Sequence, residues 1–316
     1  MPLLEIGMIL AGIVLLFVGA EGLVKGASAL ALKLGITPII IGLTVIAFGT
    51  SAPELVVGLV GSDDVAVGNI LGSNIANLAL ILGVAALIHP IEVKHRAVRH
   101  DLPIMLGVTI LFILLAINGS LSRLNGAILL GAMAIYLGYT YYEARRDALS
   151  VEEVIGEEID DGEEAQKRPL WLNIALIAGG IVSLSLGAKW MVDGAIAIAM
   201  MIGVSELVIA ISVVALGTSL PELAASVSAA RHGQTDLTVG NVIGSNIFNL
   251  LLVLGAVASV GAVKVDSQAL TIDLWVVLAL SIVIWPLLRT DHCLDRREGV
   301  FLLVVYAGYV VTLFLR

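Results

Sequence analysis

The feature that most constrains this chain is an apolar segment that ends in a carboxylate and occurs twice. Residues 42–54 read GLTVIAFGTSAPE and residues 210–222 read AISVVALGTSLPE, so Glu54 and Glu222 stand 168 positions apart in matching contexts. A second pair follows, GNILGSNIAN at 68–77 and GNVIGSNIFN at 240–249. The surroundings are greasy: 59% of the 316 residues are apolar, 14% are charged, and the mean hydropathy is +1.04. A soluble domain carries roughly 25% charged residues, so this composition is that of a polytopic membrane protein. A carboxylate in hydrocarbon is costly and marks a functional site by default.

Each bilayer crossing takes about 20 apolar residues. Runs of that kind fall near 3–33, 38–60, 65–89, 101–118, 122–142, 170–202, 205–230, 237–260, 268–288 and 298–315. They predict an all-α polytopic membrane protein of ten transmembrane helices. The first and sixth runs are long enough to cross at a tilt. Each ends at a glycine suited to a C-cap, Gly35 and Gly203, and each is followed by a helix-start signal, Thr37-Pro38 and Ser205. Gly19/Gly187, Gly26/Gly194 and Gly35/Gly203 all share the offset of 168. The chain therefore reads as two five-helix repeats, 1–142 and 170–316, joined by an acidic linker at 143–169. Five is odd, so the second repeat is inverted relative to the first.

Lysine and arginine set the orientation. With the N-terminus outside, 13 of the 17 basic residues fall in inside loops or at inside ends, against Arg123, Lys264 and Arg316 outside and Lys189 within helix six. The expectation is a plasma-membrane protein with both termini extracytoplasmic and the linker in the cytoplasm. The first apolar run lacks a basic leader and is too long for a cleavable signal peptide. The linker, with EEVIGEEIDDGEE at 152–164, reads as a solvated spacer; it lacks the alternating ligand spacing of an EF-hand. His95 and His100 sit beside Lys94, Arg96 and Arg99 and read as topogenic charge rather than metal ligands. One cysteine, Cys293, rules out a disulfide within the chain. No nucleophile or metal triad points to an enzyme.

The chemistry lies in the boxes. A proline lacks an N–H and clashes with the carbonyl four residues back, so Pro53 disturbs the helix at Gly49 and Pro221 disturbs it at Gly217. Helices two and seven are expected to be broken there. Carbonyls freed around Ala47–Thr50 and Ala215–Thr218 find no water in lipid, and a dehydrated cation can satisfy them. Thr50, Ser51, Thr218 and Ser219 add hydroxyls, and Glu54 and Glu222 add formal charge. These are hard oxygen donors, which suit Ca²⁺ and Na⁺. The one nearby intramembrane base is Lys189, and one lysine cannot neutralise two glutamates. Glycines four apart, Gly68/Gly72 and Gly240/Gly244, fit small-xxx-small packing. They would bring helices three and eight against the broken helices, so that Asn77 and Asn249 reach the site. Glu54 to Gly68 spans 14 residues and Glu222 to Gly240 spans 18. The shorter connection, carrying Asp63 and Asp64, is expected to trim a turn from helix two or three.

The paired GTSxPE and GNxxGSNxxN boxes resemble the sodium/calcium exchanger branch of the calcium/cation antiporter superfamily. The resemblance implies ten transmembrane helices, with helices two, three, seven and eight as an ion-holding core and the long helices one and six sliding against it. It implies Glu54 and Glu222 as shared Ca²⁺/Na⁺ ligands and carbonyl ligation of calcium by Thr50 and Thr218. It implies sodium sites lined by Ala47, Ser51, Ala215 and Ser219, with Asn77 and Asn249 facing the centre. Some relatives carry aspartate at the position of Asn249, where it is tied to K⁺ transport; asparagine resembles the potassium-independent type.

Two unpaired carboxylates in a low-dielectric core cannot easily pass through an occluded state. One Ca²⁺ neutralises them, and so do two Na⁺. Only loaded carriers cross, which makes exchange rather than uniport. No cofactor and no nucleic-acid partner are expected, and a monomer in the bilayer suffices. The competing readings are a Ca²⁺/H⁺ antiporter using the same carboxylates, a potassium-dependent exchanger and a channel.

Overall fold

The computed structural model describes residues 3–147, 168–201, 215–289 and 292–314. They form an almost wholly helical protein. Eight stretches are long and apolar enough to cross a membrane: α1 (Leu3–Leu34), α2 (Pro38–Val60), α3 (Asp63–Ile88), α4 (Ala97–Ala116), α5 (Arg123–Arg146), α6 (Leu170–Met201), α8 (Thr235–Val260) and α9 (Ala269–Arg289). Two further helical stretches complete the described residues. In this numbering α7 comprises Ala215–Gly217 and Leu220–Arg231, and α10 is Arg296–Phe314. The span expected at 205–230 begins within 202–214, outside the described residues, as do Gly203 and Ser205. The fifth helix continues to Asp147, into the segment read as linker; the remainder of that linker, 148–167, also lies outside them. Large apolar side chains such as Leu114, Ile135 and Val304 stand exposed on outer helix faces, as lipid contact requires.

Local signals in the sequence act largely as expected. Gly35 takes φ +61, with Ile36 N–H donating to the Ala31 carbonyl at 3.1 Å and Gly35 N–H to Leu32 at 3.2 Å. That is a Schellman closure, which glycine adopts without steric cost. Pro38 starts α2 as expected. The Thr37 hydroxyl, however, makes no capping bond, so proline rather than a side-chain cap defines that start.

The long helices pack antiparallel through small residues. Gly12, Gly19 and Gly26 recur every seven residues along α1. A Cβ at these positions would stand 2.7 Å from the Gly187 carbonyl, 2.9 Å from that of Gly180 and 2.9 Å from that of Asn173. Glycine permits this backbone contact, and dispersion across it replaces the hydrophobic drive that lipid does not supply. A second close seam joins α2 to α8. A Cβ on Gly240 would lie 2.6 Å from the Ile39 carbonyl, and one on Gly244 would lie 2.7 Å from the Ala47 Cβ. The glycines of the second box thus press α8 on the kinked helix, as their spacing predicts. The positions equivalent to Ile39 and Ala47 are 207, outside the described residues, and 215, whose side chain is outside them.

Four two-residue strands tie the loops. β1 (Ile91–Glu92) pairs antiparallel with β4 (Cys293–Leu294), and β2 (Ser120–Leu121) pairs with β3 (Val263–Lys264). β1 and β2 flank opposite ends of α4. β3 stands at the same place after α8 as β1 does after α3, yet it lies at the opposite end of the molecule. His95 stacks edge-on against His292 with ring centroids 5.0 Å apart, beside the β1–β4 pair. The nearby Arg99 charge, and lesser burial and cationic neighbours, lower the His95 pKa. Among the described residues, no group of three His, Cys, Asp or Glu could hold a metal.

Candidate cation site

The two kinks form alike because their sequences are alike. Ser51 leaves helical geometry at φ −82, ψ 4, and Ser219 does so at φ −85, ψ 1. A new helical segment starts after each, with proline and then glutamate in its first turn: Pro53 and Glu54, Pro221 and Glu222. The carboxylates therefore sit at helix N-termini inside the protein, where the helix dipole favours negative charge. The two kinks close differently. Ser51 N–H donates to the Ala47 carbonyl at 3.0 Å, whereas Ser219 N–H donates to Leu216 at 3.2 Å, a tighter turn. The Ala47 carbonyl is thus not freed by the kink, and the Thr50 hydroxyl also lies 3.5 Å from it.

The side chains join the two halves. Glu222 Oε1 accepts the Ser51 hydroxyl at 3.2 Å, and Glu54 Oε1 accepts the Ser73 hydroxyl at 3.2 Å. Ser73 also lies 3.0 Å from the Ser219 hydroxyl. Thr50 donates to Asn241 Oδ1 at 3.2 Å and Thr218 donates to Asn69 Oδ1 at 2.9 Å. Asn241 in turn donates to the Glu222 carbonyl at 3.3 Å and to the Ser226 hydroxyl at 2.9 Å. Asn77 donates to Asn246 Oδ1 at 3.5 Å and Asn249 donates to Asn74 Oδ1 at 3.1 Å. Both Asn77 and Asn249 lie in wide helical turns, Ala76–Ile81 and Asn249–Val253, where the ladder steps five residues instead of four. Such π-bulges often mark functional positions.

Four oxygens remain unpartnered in this network: Glu54 Oε2, Glu222 Oε2, Asn77 Oδ1 and Asn249 Oδ1. Their residues are 0–1% exposed. Leaving a buried acceptor unpaired costs about 1–3 kcal/mol, and more when it is charged. Among the described residues, no lysine or arginine pairs with either glutamate; Lys189 instead pairs with Asp193 at 3.0 Å on an exposed face. All four groups are hard oxygens, the donor type that Ca²⁺ and Na⁺ take.

Of the residues expected at the site, Glu54, Glu222, Thr50, Thr218, Ser51, Ser219, Asn77 and Asn249 are all buried, in hydrogen-bonded groups that each draw on both halves, with Ala47 packed against Gly244. The Ala215 side chain lies outside the described residues. Sequence reasoning passed over Ser73, Ser245, Asn69, Asn241, Asn74 and Asn246. A signal was there: 69/73/77 and 241/245/249 each repeat every four residues and so share one helix face. The shorter connection trims α2, whose last segment is Ala52–Val60 against Leu220–Arg231 in α7. The asparagine registers match in spite of it. Three further buried carboxylates have partners: Asp236 with Lys94 at 2.8 Å, Asp101 with Arg96 at 4.0 Å, and Asp273 with the Tyr309 hydroxyl at 3.2 Å.

The family model described as sodium/calcium exchanger protein matches residues 4–142 and 172–315. The chain is 38% identical to the "Putative antiporter CaxA" of Alkalimonas amylolytica, over 97% of either chain. It is 33% identical to the "Sodium/calcium exchanger MaX1" of Methanosarcina acetivorans, again over 97% of each. Its structure is similar to that of the sodium-calcium exchanger NCX_Mj soaked with Na⁺ and Ca²⁺, with a TM-score of 0.84, 29% identity and 99% of both chains covered.

Proposed function

Because this chain belongs to the sodium/calcium exchanger family, within the calcium/cation antiporter superfamily, we propose that it exchanges Na⁺ for Ca²⁺ at one site shared by Glu54 and Glu222. It is an integral membrane antiporter of the exchanger type. The observation that carries the finer reading is the set of four unpartnered oxygens, two from each half. Two of them bear formal charge, so one Ca²⁺ or two Na⁺ neutralise the site. An ion of either kind occupies ligands that the other needs, which couples the two fluxes. The Ala47, Ala215, Thr50 and Thr218 carbonyls and the Ser51 and Ser219 hydroxyls complete the ligand set in this reading.

The proposed architecture is ten transmembrane helices in two inverted five-helix repeats, 1–142 and 170–316, with helices two and seven broken. The opposite placement of β1 and β3 supports the inversion, and the matching backbone angles at Ser51 and Ser219 support the breaks. Both termini are assigned to the outside of the plasma membrane, on the basic bias of the loops.

Alternating access is supported by unequal cover over equivalent segments. Leu220–Arg231 buries Pro221, Ala225, Ser226, Ser228, Ala229 and Ala230, whereas Ala52–Val60 buries little beyond Glu54 and Gly58. α1 packs on Leu220–Arg231, and Glu21 on α1 accepts the Ser228 hydroxyl at 3.0 Å. The position equivalent to Ser228 is Val60, which has no hydroxyl and stays exposed. In this conformation the site is closed on the α7 side. Sliding of α1 and α6 over the core would reverse the cover.

The test is competition. Titration of the purified protein with Ca²⁺ should show binding that rising Na⁺ weakens cooperatively. Binding of Ca²⁺ indifferent to Na⁺ would remove the shared site.

A further inference from the structure

Resting on that reading, we infer that Asn74, Asn246 and Met105 are positioning residues that fix which end of the Asn77 and Asn249 amides faces the cation. An amide side chain carries an oxygen and an NH₂ group of almost the same shape, so its partners alone decide how it is turned. For a cation the two ends are opposites: one is a ligand, the other repels.

Each chain of hydrogen bonds starts from a group that can only accept. Asn74 Nδ2 donates to the Asn246 backbone carbonyl at 3.3 Å. Its Oδ1 therefore lies at the other end and takes the Asn249 NH₂, which leaves Asn249 Oδ1 unpartnered. Asn246 Nδ2 donates to the Met105 sulfur at 3.8 Å. A thioether has no hydrogen to give, so Asn246 Oδ1 must take the Asn77 NH₂, and Asn77 Oδ1 is the end left unpartnered. Turning Asn246 over would set its oxygen against sulfur and its NH₂ against that of Asn77. Asn77 would then have to turn its own NH₂ towards the cation.

Met105 is 1% exposed and lies on α4, outside both boxes. The offset that carries Asn77 to Asn249 carries Met105 to Val277. Valine offers no acceptor there, and the Asn74 amide uses the Asn246 carbonyl instead. One half of the site is thus oriented by backbone and the other by a single sulfur.

Three variants in reconstituted vesicles test this. Met105→Leu keeps the volume nearly constant and deletes the acceptor. Met105→Gln keeps the reach and offers an oxygen to the Asn246 NH₂, together with an NH₂ of its own that the thioether lacks. Val277→Leu is the control at the equivalent position. A neutral hydrogen bond contributes about 0.5–1.5 kcal/mol, so Met105→Leu should raise the half-saturating Ca²⁺ and Na⁺ concentrations about two- to tenfold, with maximal rate unchanged. Met105→Gln should recover part of that loss, and Val277→Leu should stay close to wild type in both. Adding Met105→Leu to Asn77→Ala should shift half-saturation no further. A packing role gives the reverse order, with leucine tolerated and glutamine harmful. Wild-type ion affinities in Met105→Leu would overturn the inference even if the glutamine variant does not fold. So would equal loss of affinity in the leucine and glutamine variants. Either result in a wild-type protein that exchanges normally leaves the exchanger reading standing, whereas a wild type without sodium-dependent calcium flux sinks that reading itself.

Discussion

The Ser51 hydroxyl donates to Glu222 at 3.2 Å, not to Glu54 three residues along its own chain. Ser73 makes a link in the other direction, holding Glu54 while lying 3.0 Å from Ser219. Neither half therefore contains a complete site. Both carboxylates depend on hydroxyls that the other half's kink supplies or touches.

On that arrangement both glutamates are expected to be indispensable. Glu54→Gln and Glu222→Gln keep size and hydrogen-bonding capacity while removing one charge. Each variant should express and unfold at about the wild-type temperature, yet lose Ca²⁺ exchange, because one carboxylate cannot neutralise a divalent ion in a low-dielectric core. Calcium flux in vesicles and thermal unfolding in detergent check both halves. Near-normal exchange in either variant would remove that residue from the site.

Asparagine at both 77 and 249 leaves the centre without a third carboxylate. Exchange should therefore proceed in choline or lithium media free of potassium, and the vesicle lumen should neither acidify nor alkalinise beyond leak. Uptake that needs added K⁺ would favour the potassium-dependent branch. Uptake driven by a proton gradient with all Na⁺ removed would favour Ca²⁺/H⁺ exchange. The partners found for Asp101, Asp236 and Asp273 argue against a separate proton carrier.

The orientation is open to chemical labelling. In a Cys293→Ser background, cysteines placed between residues 150 and 165 should be shielded from impermeant thiol reagents in intact cells. A cysteine at Asp64, which is exposed next to Asp63 at the β2–β3 end, should react. The reverse pattern would invert the topology.

The seam between α1 and α6 leaves no room for side chains. Gly19→Leu or Gly187→Leu places atoms where a Cβ alone would come within about 3 Å of backbone. Overpacking of this kind costs typically about 1–3 kcal/mol, so both variants should unfold at lower temperature and exchange slowly. Gly131→Ala, which meets nothing within 4 Å, should leave both measurements unchanged. Wild-type stability and flux in the seam variants would show that the helices are not held together there.

Much of this was legible before any coordinates. The two boxes located Glu54 and Glu222 because charge in an apolar run is rare and duplication repeats it. Gly35 announced its helix end because only glycine takes φ +61 cheaply. The serines were harder. Ser73 and Ser245 sit in a small-residue motif, where a hydroxyl reads as close packing, and their partners lie on other helices. Met105 was invisible for the same reason: a buried methionine is ordinary core until a particular amide is seen to donate to it. α5 runs past its apolar stretch, which ends near Tyr142, because Glu143, Ala144, Arg145 and Arg146 are good helix formers and carry it into the segment read as linker.

The most direct test of the central claim is uptake of radioactive calcium into proteoliposomes loaded with Na⁺ and diluted into sodium-free buffer, compared with vesicles holding equal Na⁺ on both sides and with vesicles holding only a pH gradient. The account predicts rapid accumulation in the first case, none above leak in the other two, and none in the first case with Glu54→Gln. Accumulation that ignores the sodium gradient, or that the pH gradient alone sustains, would contradict it.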